Sequence, residues 1–224
     1  MSNFELIIER NIEERQTVLF EMEKVLFTKR YNLSKKHIDI FSVQSVAMIY
    51  SIWEGFIQTA FNLYIDEINN KEQKPSFIKN ELFIYHIEST FKQFNEYPSK
   101  LNQKVGFISK LKDFFYLDRF KLNSGINTQS NVGFDVLNNL LKTFCLELFE
   151  EQWGQYKYPN TNLKESLSAF LKYRNGVSHG GDIRSEEKIT QQVYIKFRNL
   201  VLDLMYAIQT KMVDGIEESR YLKD

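Results

Sequence analysis

Disulfide chemistry is excluded within this chain, because Cys145 is its only cysteine. One thiol and three histidines also offer no familiar metal-ligand spacing, so neither a metal nor another cofactor is expected. Cys145 stands in the apolar run Leu140 to Leu146, where the sequence reads as helix and the thiol as a small buried hydrophobe. With only 3 Pro and 9 Gly, the turns of an all-β fold have few places to form. No excess of either charge sign exists, since 29 Lys and Arg face 29 Asp and Glu. A protein that coats nucleic acid is normally basic, so any such contact here is expected to be a local site. A cationic segment leading into an apolar one is absent, as is any unbroken run of 18 apolar residues. Neither export nor membrane spanning is therefore expected, and the cytoplasm is the expected compartment.

What the sequence does have is aromatic mass: 19 Phe and 12 Tyr can fill the core of one large helical domain. Apolar residues recur at Ile8, Ile12, Leu19, Met22 and Leu26, which predicts an amphipathic helix over about 4–31. Ser34 reads as the N-cap of a second helix reaching about Asn69, with Val46, Tyr50, Trp53, Ile57, Ala60, Tyr64 and Ile68 inside. A helical pattern over about 76–95 (Phe77, Leu82, Ile84, Ile87, Phe91, Phe94) stops before Pro98. Residues 99–131 read as less regular, ending in a polar loop around Gly125. Helices are expected again over about 134–148, 163–173 and 186–218, with an aromatic loop from Trp153 to Asn160. The whole is an all-α bundle.

The chemistry-bearing segment is Ser166 to Gly180, which ends Arg174-Asn175-Gly176-Val177-Ser178-His179-Gly180. An arginine, a polar neighbour and a histidine five positions on, closing an apolar helix, resemble the signature of the HEPN superfamily. Two further stretches are similar to one branch of it, that of stand-alone prokaryotic proteins linked to genome defence and toxin–antitoxin systems. These are Ser51-Ile52-Trp53-Glu54-Gly55-Phe56 and Ser130 to Leu137.

The resemblance implies one HEPN domain over 1–224, a four-helix bundle with core helices at about 4–70 and 132–219 and a helical insertion at about 71–131. It implies a homodimer whose two motifs meet, and an RNA substrate cleaved without metal by attack of the ribose 2′-OH on the adjacent phosphate. His179 would exchange the proton near neutral pH. Arg174 would stabilise charge at phosphorus, and Asn175 would orient the phosphate or the imidazole. Glu54 is a candidate to orient the pair from behind, the alternative being a solvated carboxylate on a buried helix. The bland alternative for Arg174 and His179 is a pair of cations closing a helix C-terminus. On a regular helix five residues turn about 500°, leaving the two side chains about 140° apart. Either the helix ends near Gly176, or a second subunit completes the site.

Some HEPN toxins carry, two residues after the histidine, a tyrosine that a partner antitoxin modifies. Gly181 occupies that place here, so an antitoxin or other defence protein would act differently. The alternative reading of the whole chain is a catalytically silent HEPN module that binds RNA, nucleotide or a partner protein. A secondary RNA contact is conceivable at Pro98–Leu122, where Lys100, Lys104, Lys110, Lys112, Arg119 and Lys121 face Asp113 and Asp118. Six cations against two acids give a local charge of +4, interleaved with Phe107, Phe114, Phe115 and Tyr116. His37 and His86 stand outside any motif.

Overall fold

The computed structural model describes residues 2–94, 96–119, 121–128, 130–154, 162–178 and 189–223. Its helices are α1 (Asn3–Phe27), α2 (Lys35–Asn70), α3 (Asn80–Thr90), α4 (Leu101–Phe115), α5 (Phe134–Thr143), α6 (Leu163–Ser178) and α7 (Gln191–Glu217). No strand occurs among the described residues, only isolated bridges at Ile78–Leu222 and Gln152–Asn162. The fold is all-α.

Caps and periodicity explain the long helices. Ser2 and Glu5 form a reciprocal capping box on α1, and the Ser34 hydroxyl accepts from the His37 N–H at the start of α2. Thr190 caps α7 by accepting from Val193 N–H, which places Ile189 just before the helix and moves its start from the expected 186. Four helices pack on one another: α2 lies against α1, α6 and α7, and α1 also against α7. Their shared core holds Ile8, Ile12, Trp53, Ile57, Phe170, Phe197 and Leu204, all essentially inaccessible to water. Helices α3, α4 and α5 fall between α2 and α6 in sequence, and α5 joins α3 to α6.

Helix α2 is long and apolar enough to cross a membrane by length and composition alone. In the bundle its apolar positions from Val46 to Ile68 are core, which gives the same composition a packing explanation.

Several expectations needed correction. Residues 101–115 form a regular helix, because Phe107 and Phe114 anchor an amphipathic face on Phe91 and Phe83. The 76–95 pattern contracts to α3 with short 3-10 turns at Pro75–Phe77 and Lys92–Phe94, and Phe77, Ile84 and Phe94 are exposed. Helix α5 stops at Thr143, and Cys145 sits beyond it in a left-handed turn with φ 58°. The thiol is half-buried, and burial raises it to about 11, well outside the reactive thiolate range. Close packing fixes this end of the bundle: a Cβ on Gly215 would stand 2.6 Å from Leu146 Cδ2 and 2.7 Å from the Tyr64 hydroxyl. Most of the expected 153–160 loop lies outside the described residues.

Candidate functional site

Asn162 opens α6 by accepting from the Glu165 N–H at 2.9 Å, and Leu163, Leu167 and Phe170 seat the helix in the core. Of the two alternatives, a helix ending near Gly176 or a site completed by a second subunit, the first is not what α6 does: it runs on to Ser178. Gly176 is exposed, and a Cβ there would meet nothing within 4 Å. A helical glycine costs roughly 1 kcal/mol relative to alanine. The last turns are held nonetheless, through Tyr173 edge-on to Phe197 and through Arg174. His179 lies outside the described residues, as do Gly180 and Gly181.

Arg174 does not close its own helix. Its guanidinium lies over the Tyr50 ring, 4.5 Å from the centroid, donates to the Ser130 carbonyl at 3.1 Å and to Asn175 Oδ1 at 2.9 Å. The helix-cap reading therefore fails for this residue. Asn175, expected to orient a phosphate or an imidazole, spends its amide oxygen on Arg174.

The Ser130 carbonyl is itself held in place by a segment clasped along α2. Asn69 pairs twice with the Leu122 backbone (2.7 and 3.1 Å), and Asn62 Oδ1 accepts from the Gly125 N–H. Thr128 donates to Glu54 Oε1 at 2.5 Å and accepts from Gln58. Trp53 Nε1 donates to the Val132 carbonyl at 3.0 Å, while the Val132 N–H donates to the Tyr50 hydroxyl at 2.8 Å. The segment thus runs antiparallel to α2 for about 28 Å of helix, at 1.5 Å per residue from Asn69 to Tyr50. Gly133 then abuts α6, where a Cβ would stand 2.8 Å from Leu171 Cδ1. Ser130 adopts a left-handed φ of 51°, which a serine tolerates only where its surroundings enforce it.

Electrostatics separate Arg174 from Arg198, which is also stacked on an aromatic ring. Arg198 lies 4.4 Å over the Phe20 ring and is neutralised by the Glu23 carboxylate. Arg174 is held by a ring, a carbonyl and an amide, and among the described residues it has no carboxylate partner. Burial raises the Tyr50 phenol above its usual value and the nearby Glu54 carboxylate adds to this, while the Val132 N–H and Arg174 pull it back. No group of three His, Cys, Asp or Glu among the described residues is arranged to hold a metal ion.

Glu54 is half-buried and makes no direct bond to Arg174 among the described contacts. It binds Thr128 and faces Tyr50, one contact further from the guanidinium than expected. Tyr50, Thr128 and Ser130 escaped the sequence reading. Tyr50 carries no signal there, since it matches the core period of α2. The clasp did leave one: Glu54, Gln58 and Asn62 are polar residues at four-residue steps along α2, with Asn69 seven further. His37 is exposed against Phe41, and His86 is buried with its ring stacked 4.9 Å from that of Phe114. The basic aromatic stretch divides, with Phe107 and Phe114 buried and Phe115 and Tyr116 exposed.

No curated protein sequence and no solved structure shows significant similarity to the chain. The family model described as HEPN_MAE_28990-like HEPN matches residues 4–221, nearly the whole chain. The chain therefore belongs to the MAE_28990-like HEPN family, whose domain type is associated with RNA cleavage and RNA binding.

Proposed function

We propose that this protein is a metal-independent endoribonuclease, acting in the cytoplasm as a defence or toxin–antitoxin toxin. The observation that carries the reading is Arg174, a fixed guanidinium with no carboxylate partner among the described residues, five positions before His179. Its N–H groups beyond those given to Ser130 and Asn175 are donors for a phosphate oxygen. His179 accepts the 2′-OH proton and returns a proton to the leaving 5′ oxygen, while Arg174 stabilises charge at phosphorus. The products are a 2′,3′-cyclic phosphate and a 5′-hydroxyl end. The test is incubation of purified protein with total RNA in EDTA. Cleavage is expected to persist, yielding 5′-hydroxyl ends; activity lost on chelation and restored by Mg²⁺ would point to a two-metal nuclease instead.

The active form is proposed to be a homodimer with both motifs in one cleft. Helix α6 continues past Gly176, which removes the simplest way for Arg174 and His179 of one chain to converge. Support comes from the outer face of the first turns of α2, where His37, Phe41, Gln44, Met48 and Ser51 follow alternating four- and three-residue steps. All five are exposed, and none is acidic or a lysine or arginine. Such a stripe suits packing against another helix. Solution scattering is expected to show a dimer at micromolar concentration, dissociated by Met48→Glu. A monomeric wild type under those conditions would refute this arrangement.

A further inference from the structure

We infer that Tyr50 is a positioning residue for the reaction, fixing the Arg174 guanidinium from below and from the side. This inference rests on the nuclease reading of Arg174. Two parts of one side chain converge on the same group. The ring underlies the guanidinium at 4.5 Å, a distance at which cation–π attraction holds the two together. The hydroxyl accepts from the Val132 N–H, anchoring the segment whose Ser130 carbonyl accepts from Arg174 Nη2. Stacking defines the plane of the fork, and the carbonyl defines its rotation within that plane.

Tyr50 is suited to this because it cannot move. It is 2% exposed, its ring packs 5.9 Å from that of Phe170 on α6, and Trp53 secures the other side of Val132. Glu54 and Thr128 tie the preceding part of the segment to the next turn of α2. An arginine that meets charge only as it builds at phosphorus gains from this, since donors set beforehand need no reorganisation during the reaction. Loss of the platform therefore acts on the chemical step more than on RNA binding, which phosphate contacts elsewhere share.

The experiment compares wild type, Tyr50→Phe and Tyr50→Leu in steady-state cleavage of total RNA, and records the Arg174 Nε–Hε resonance of each by NMR. The resonance is assigned by its loss in Arg174→Lys. Tyr50→Phe keeps the ring and is expected to keep kcat within about tenfold. Tyr50→Leu removes both supports and is expected to lower kcat about 10²-fold, the cost of misplacing a catalytic group by about 1 Å, with KM nearly unchanged. Ring-current displacement of the Arg174 resonance is expected in wild type and Tyr50→Phe and not in Tyr50→Leu. Wild-type kcat in Tyr50→Leu, or a fall confined to KM, overturns the inference. So does an undisplaced Arg174 resonance in the wild type, a reading that needs no variant to fold. A displaced resonance in a wild type that cleaves no RNA would defeat the nuclease reading while leaving the platform standing.

Discussion

Arg174→Ala is expected to lower RNA cleavage by about 10²–10³-fold, the cost of removing a donor that stabilises transition-state charge. His179→Ala is expected to lower it by about 10²–10⁴-fold, the usual contribution of a positioned acid–base group. The stability cost of the arginine change is set by what holds it: a cation–π contact and hydrogen bonds to the Ser130 carbonyl and the adjacent Asn175 amide at a half-exposed site. Together these amount to about 1–2 kcal/mol. For a chain of this size that moves Tm by roughly 2–8 °C, too little to unfold a stable domain. Arg174→Lys refines the comparison, since lysine keeps the charge and loses the planar fork. Its cleavage is expected to stay close to that of Arg174→Ala. The measurement pairs RNA cleavage with thermal unfolding for all three variants. Full cleavage by either alanine variant would refute the assigned chemistry.

Glu23→Ala is expected to lower stability by about 3 kcal/mol, a large loss for a single polar change away from the site. Arg198 keeps only 9% of its side chain exposed, and Glu23 17%. Removing the acid leaves a cation bonded, among the described residues, only to the Asn199 side chain and lying over Phe20. Gln191 loses its acceptor at the same time. The pair joins α1 to the first turns of α7, close to where the Tyr194 hydroxyl donates to the Leu19 carbonyl. The loss should therefore spread through that interface. Chemical denaturation reads the effect directly. A Glu23→Leu, Arg198→Met double variant should recover most of the stability, because a well-packed apolar pair can replace a buried ion pair. A single-variant loss below about 1 kcal/mol would show that solvent reaches Arg198 more freely than the packing allows.

The sequence by itself determined the helices that build the bundle, and the reason is local. Apolar residues at three- and four-residue steps can be buried only on one side of a helix, so α2 and most of α1 and α7 are written in their own spacing. Caps such as Ser34 act within three residues and are equally legible. The motif was legible for the same reason, since Arg174, Asn175 and His179 are neighbours in the chain. Tertiary structure alone decided how Arg174 is held. Its ring partner Tyr50 is 124 residues away and its carbonyl partner Ser130 is 44 away, and neither pairing obeys a period. The segment 122–132 looked like a polar loop because many of its backbone bonds end on side chains of α2 and on Tyr85 of α3, with Leu122, Ile126, Thr128 and Val132 buried beneath. Helix α4 was missed because one helical face rests on the aromatic cluster while the other carries exposed Leu101, Val105 and Ile108, which blurs its pattern. The passage of α6 through Gly176 was equally hidden. Propensity argues for a break there, and long-range anchors at Tyr173 and Arg174 outweigh it.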